Sequence, residues 1–322
     1  MSFDRTGRLI ALFALGAAIL PWLIASEFWI NFMVMVLFFA MLGQAWNVLG
    51  GYGGQFSFGH AAFFGTGAYV AAVLQVKLGI NAWATFALAG LGGALVGAVI
   101  GFLSFRYGLR GSYFALVTLA FAEVLRILAN SVDFTGGGVG TLIPLNQTAA
   151  NFQFADKRAF YYVALVLVVA WLILTRWLEN SRFGARLMAV RENEDAARAL
   201  GVGVFGTKLR AIVLSGLMAG LAGAFYAQCF LYVDPRVAYG SGVSVETLLV
   251  PIIGGLGTVF GPVLGAIVLQ AAGEIAKQAT GDAAGLNLVL YGLMLVVMVL
   301  FLPNGFAGMA LRRWRRLRGE HD

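Results

Sequence analysis

The sequence predicts an all-α polytopic membrane protein of about ten transmembrane helices, some of them short or broken. Three observations predict it. Of 322 residues, 60% are hydrophobic and 11% charged, against roughly 45–50% apolar and 25% charged in a soluble domain. Apolar stretches of about 20 residues, the length a helix needs to cross the hydrocarbon core, recur along the chain. Glycine, at 43 residues, suits helices packed closely in lipid. We read 1–322 as a single transmembrane domain.

Six spans precede residue 180, at 9–26, 30–49, 57–76, 81–104, 112–129 and 159–177. The first follows Arg5 and Arg8 as a secretory leader would. Pro21-Trp22 interrupts it where small residues should prepare cleavage, so it is a retained anchor. The loop 178–208 is strongly polar, with Arg182, Arg186, Arg191, Arg198 and Lys208 among Glu179, Glu192, Glu194 and Asp195. This density of Lys and Arg places it in the cytoplasm, and six crossings put the amino terminus on the same side. Arg106 and Arg110, after the fourth span, agree. Beyond the loop, 209–232 and 286–302 are plain spans. The stretch 243–277 is interrupted by Pro251, Gly254-Gly255, Gly257 and Gly261-Pro262. Split there into two crossings, it brings the count to ten and leaves both termini cytoplasmic; a re-entrant hairpin is the other reading. Breaks of this kind line cavities in transporters, because freed backbone groups need partners.

Several function classes are excluded. A lone Cys229 forms no intrachain disulfide, and His60 and His321 are too few to build a zinc or iron centre. The net charge of +7 does not point to nucleic acid: Arg312, Arg313, Arg315, Arg316 and Arg318 crowd the tail 311–322, where they face anionic headgroups. No G-x-x-x-x-G-K-[ST] occurs, so the chain has no P-loop nucleotide site of its own.

Four segments carry information. In Gly50 to His60 and on to Tyr69, small residues at Gly59, Ala61, Ala62, Gly65 and Ala68 allow close backbone approach. Gln55, Ser57 and His60 are polar at a helix entrance and need partners or water. The fifth span carries Thr118, then Glu123 and Arg126 three apart on one face, either a stabilising pair or a gate. The run Thr135 to Gly140 makes turns or shapes an entrance loop. In Ala189 to Gly201, Asn193 caps a short helix, Glu194 and Asp195 crowd its positive end, Arg198 sits near the other, and Gly201 closes it. Its small surface of Ala196, Ala197 and Leu200 suits a knob in a partner's groove; the alternative is a solvated linker.

Together with Gly254 to Pro262 and Gly265-Ala266, these motifs, in this order from Trp46 to Gly308, resemble the permease subunits of branched-chain amino acid ABC importers of the LivM type. The resemblance implies that 189–201 is a cytoplasmic coupling helix meeting an ATPase through Glu192, Asn193, Glu194, Asp195, Ala196, Ala197 and Gly201. Asp195 stands where the E-A-A-x-x-x-G signature has Glu, and the usual downstream Leu-Pro is absent at Ala211 to Leu214. The implied partners are a second related permease, two cytoplasmic ATPases carrying ATP and Mg, and an extracytoplasmic amino-acid-binding protein, in a bacterial inner membrane. This chain itself binds no cofactor. Candidates for the substrate path are Gln55, Ser57, His60, Thr118, Glu123, Arg126 and the backbone at Gly254, Gly255 and Gly257. The rival readings are an ABC permease for urea, amides or another small organic solute, and an ion-coupled transporter using Glu123, Glu246 and Glu274.

Overall fold

Without water to serve the backbone, an apolar run must satisfy its own N–H and C=O groups, and a helix does so. The structure, a computed structural model, describes residues 3–24 and 26–280 together with 286, 289, 292, 293, 296 and 297. Its helices are α1 (Phe3–Leu23), α2 (Glu27–Trp46), α3 (His60–Leu78), α4 (Ala82–Arg106), α5 (Gly111–Ser131), α6 (Lys157–Asn180), α7 (Arg182–Glu192), α8 (Glu194–Ala199), α9 (Val204–Phe230), α10 (Pro235–Ala238), α11 (Ser241–Gly254) and α12 (Gly261–Thr280). Side-chain caps set several starts: Asn81 accepts from Trp83 N–H, Asp156 from Arg158 N–H and Ser181 from Gly184 N–H.

Among the described residues, eight segments are long and apolar enough to cross a membrane, with α10 and α11 counted as one. The helix α12 adds 20 residues, about 30 Å, carrying Glu274 and Lys277. The span 286–302 and the tail 311–322 lie outside the described residues, save the isolated positions above.

The centre is a slab of α3, α4 and α9. A Cβ on Gly93 would collide with the Gly216 carbonyl, one on Gly216 with the Gly93 carbonyl, and one on Gly67 with the Gly220 backbone. Main chain therefore meets main chain, as small residues permit. Across α9 lies α2, joined through Phe38, Phe64, Phe225 and Tyr226. From α6, Tyr161 and Tyr162 donate to the Ala17 and Ala18 carbonyls at 2.8 and 2.9 Å, holding α1.

The second and third expected spans depart from plain α-helices. The second ends its α-helix at Trp46 and continues as a π-helical turn, Asn47–Tyr52, because Trp46 and Asn47 fold over Gly50 and Gly51, where a Cβ would collide with them. The third begins at His60 rather than 57, and 53–59 runs back beside α2, with Trp46 Nε1 donating to the Ser57 carbonyl at 2.8 Å. The stretch 243–277 breaks at 255–260, at the glycine–proline cluster. The helix before the break, α11, has 14 residues, about 21 Å, and packs antiparallel on α12: Gly265 seats against the Val250 carbonyl and Gly254 against Gly261. The glycine run 135–140 makes turns leading into a short strand β1 (Thr141–Leu142) paired antiparallel with β2 (Tyr232–Val233), a pairing that periodicity does not announce.

The slab makes a clear prediction. Gly216→Leu must push α4 from α9 and should cost at least about 1–3 kcal/mol. Gly206→Leu, where nothing lies within 4 Å, should cost little. Thermal unfolding of the detergent-solubilised protein compares the two; equal melting would contradict the backbone contact.

Candidate functional site

The helices α7 and α8 lie at one end of the bundle, beside Arg110 and Lys208; this is the loop end. The opposite end carries the connection 132–156. Asn193 caps α8 by accepting from Asp195 N–H at 3.0 Å and Ala196 N–H at 2.9 Å, and Gly201, with φ of 82°, turns the chain after it. The two-turn helix read from the sequence is thus Glu194–Ala199. Ala189 to Glu192 do not belong to it. They end the separate helix α7, because the Asn193 cap forces extended backbone, φ −159° and ψ 112°, between the two.

Glu194 is the hub. Its carboxylate accepts from Lys208 Nζ at 2.7 Å, pairs with Arg110 Nε at 3.0 Å and accepts from Gln55 Nε2 at 3.4 Å. The Lys208 side chain is 4% exposed and that of Glu194 13%, so the pair is largely withdrawn from water. The Lys208 ammonium also lies 4.6 Å from the centre of the Phe105 ring. Through Glu194, α8 is tied to the start of α9, the residue before α5 and the segment 53–59. Asp195, exposed, pairs with Arg110 and Arg198, each at 3.2 Å. The Arg110 hydrogen bond, aided by its charge, holds the Asp195 carboxyl below its usual range.

The two sides of α8 differ. Ala197, 2% exposed, packs inward with Val190 and Val204, while Ala196 is exposed and Leu200 is 84% exposed. Glu192 and Asn193 are exposed beside them.

The path candidates form three groups. Ser57, His60 and Thr118 fall together: Thr118 Oγ1 accepts from Phe58 N–H at 3.2 Å and donates to the Ala115 carbonyl, and Ser57 Oγ accepts from Gly59 N–H. His60 Nε2 lies 2.8 Å from Ser215 Oγ, whose own proton goes to the Ala45 carbonyl at 2.7 Å. Nε2 is therefore the donor nitrogen, and buried Nδ1 has no partner among the described residues. All three are buried, whereas their neighbours Phe56 and Phe58 are 43% and 42% exposed. An extended strand alternates its faces, and here the polar side chains are the inner set.

Gly254, Gly255 and Gly257 form the second group. Gly257 N–H donates to Asn47 Oδ1 at 2.8 Å, Asn47 Nδ2 donates to the Thr258 carbonyl at 3.0 Å, and Gln44 Nε2 to that of Val259 at 2.6 Å. Arg191 Nη1 donates to the Gly51 carbonyl at 2.7 Å beside them. Gly255 and Gly257 have φ of 129° and 67°, so the turn needs glycine. Glu123 and Arg126 stand apart, bidentate at 2.6 and 2.8 Å and partly exposed on α5.

Sequence reasoning passed over Gln44, Asn47, Ser215 and Ser244, whose Oγ accepts from Ala61 N–H at 3.0 Å. The signal was available: an amide inside an apolar run requires a partner.

The chain matches over residues 28–299 the family described as branched-chain amino acid transport system, permease component. It is 32% identical over 315 residues to the high-affinity branched-chain amino acid transport system permease protein LivM of Salmonella typhimurium, covering 90% of this chain and 72% of that protein. To LivM of Escherichia coli K12 it is 32% identical over 325 residues, covering 94% and 74%. A probable branched-chain amino acid transport permease protein LivH of Methanocaldococcus jannaschii is 26% identical over 284 residues, covering 81% and 85%.

The hub can be tested by charge removal. Glu194→Gln leaves Lys208 buried without its counter-charge, a loss of about 3–5 kcal/mol by comparison with other buried pairs. Hydrogen exchange across 193–203 should accelerate strongly, while Asp195→Asn should leave it nearly unchanged. Similar exchange in both variants would remove Glu194 from the centre.

Proposed function

The chain belongs to the family of branched-chain amino acid transport permeases, and we propose that it forms one half of the membrane pore of an ABC importer for branched-chain amino acids. In this reading a second, related permease supplies the other half, two ATPases hydrolyse ATP with Mg at the loop end, and an extracytoplasmic binding protein delivers substrate at the opposite end. The loop end and both termini are cytoplasmic, in a bacterial inner membrane, on the strength of the Lys and Arg density in 178–208.

One observation carries the coupling role: α8 and the residue that ends it form a knob with an outward apolar side chain, Leu200, and an inward hub, Glu194, joined to α9, Arg110 and Gln55. A push on Leu200 from an ATPase is delivered to three parts of the permease at once. Ala196, Asn193, Glu192 and Asp195 complete the outward surface, Gly201 turns the chain, and Ala197 supports the knob from within. Because a ligand shifts an equilibrium only by its differential affinity for two states, ATP and the loaded binding protein must each favour one arrangement.

For the path we propose the side of the bundle where Phe56, Phe58 and the outward side of α5 are exposed. Two aromatic rings suit an apolar side chain, and the Glu123–Arg126 pair, costly against lipid, suits a face turned to a watery passage or the second permease. Gln55, Ser57, His60 and Thr118 then hold that wall in shape, and Gly254 to Gly257 hold the turn beneath it.

Vesicles containing the purified complex should take up substrate on addition of ATP and not under an ion gradient; gradient-driven uptake by this chain alone would reject the assignment. Leu200→Arg should weaken ATPase association about tenfold, equivalent to about 1.4 kcal/mol, with normal membrane insertion. Unchanged association would remove the knob from the interface.

A further inference from the structure

At the end opposite the loop end, the first half of α2, the start of α6, the last turns of α9 and the connection at 145–155 enclose a cavity of about 510 Å³. Its walls are mainly aromatic: Phe38 on α2, Phe154 and Phe160 at the entry to α6, Phe225 and Tyr226 on α9. Phe160 meets the Phe154 and Phe225 rings edge-on, with centroids 5.2 and 6.4 Å away, so the wall is held in shape. Two polar residues of the lining are already satisfied. Gln153 donates to the Pro144 carbonyl at 3.0 Å and accepts from Asn146 N–H at 2.6 Å, and Lys157 pairs with Glu27 at 3.4 Å. Among the described residues, no acid lines the cavity. Gln228 is different. It lines the cavity from α9 and is 1% exposed, and neither its Nε2 nor its Oε1 has a hydrogen-bond partner among the described residues. A buried amide left in that state destabilises the fold until something meets it.

We propose that this cavity binds a small neutral solute with an apolar body and a carboxamide group, the amide laid against that of Gln228. One stranded donor beside one stranded acceptor decides the chemistry. A carboxamide offers an acceptor and a donor side by side and meets both. A carboxylate offers acceptors only, leaves Oε1 unmet, and finds Lys157 already paired. An ammonium offers donors only and finds no acid in the lining. A hydrocarbon chain suits the rings but leaves both atoms stranded. Aromatic walls with a few polar groups to fix orientation are the usual make-up of a small-molecule site. Neither Phe56, Phe58 nor any residue of α5 lines the cavity, so the site is separate from the path proposed above and rests on no assignment of the transported solute.

The test is equilibrium dialysis of radiolabelled benzamide, benzoate and toluene against the full chain in detergent, with protein-free micelles as the blank. Benzamide should bind in preference to both of the others. Gln228→Leu, similar in size but without the amide, should lower benzamide binding about tenfold relative to toluene, the worth of two hydrogen bonds of ordinary strength. Because that variant removes two stranded atoms, it should also melt no earlier than the unaltered chain; earlier melting would mean that Gln228 is satisfied within the fold and would overturn the proposal. Val34→Phe, which keeps Gln228 and fills the wall on α2, should lower binding of benzamide and toluene alike. No preference for benzamide, a preference that survives Gln228→Leu, or binding untouched by Val34→Phe would each overturn it as well. Since binding is counted on the isolated chain, failure here is distinct from failure of ATP-driven uptake or of ATPase association.

Discussion

A broken helix inside a membrane leaves N–H and C=O groups that lipid cannot serve, and the arrangement of this bundle follows from how those groups are satisfied. The π turn 47–52 and the break at 255–260 are brought together, with Gly51 against the Gly257 backbone. Gln44 and Asn47, on the last turns of α2 and the π turn, serve the backbone of 257–259, and Arg191 from α7 serves the Gly51 carbonyl. Each partner lies far away in sequence, so the second span, the loop and the 255–260 turn are positioned by one another. Removing any one would strand polar atoms belonging to the others.

The loop end depends on a second set of polar contacts with a different character. Glu194 and Lys208 are buried charges, and withdrawing them from water offsets much of their attraction. Their value lies in geometry: a carboxylate that reaches Lys208, Arg110 and Gln55 at once fits one placement of α8 against α9 and the approach to α5. A linker helix held only by exposed pairs such as Asp195–Arg198 would have no such fixed seat. The hub gives α8 its connection to the membrane part.

Much of this was legible in the sequence. Apolar length located the spans, and Asn193 with Gly201 marked both ends of α8, because capping is local chemistry. The break at 255–260 was legible from Pro251 and its glycines. What the sequence withheld depends on distant neighbours. Ala197 looked like partner-facing surface beside Ala196 and Leu200, yet Val190 and Val204 cover it. Polarity alone made Ser57 and His60 path candidates; it does not show that both are buried while their neighbours Phe56 and Phe58 are exposed. The π turn could not be foreseen, since it depends on the folding of the Trp46 and Asn47 side chains over Gly50 and Gly51.

The contact of α4 with α9 through Gly93 and Gly216 has a mechanical consequence. Side chains can swap rotamers and so act as springs between helices, but two main chains in touch have nothing to compress. The slab of α3, α4 and α9 is therefore a chassis that cannot be squeezed where Gly93 and Gly216 meet, and give between helices is left to the places where side chains form the bearings.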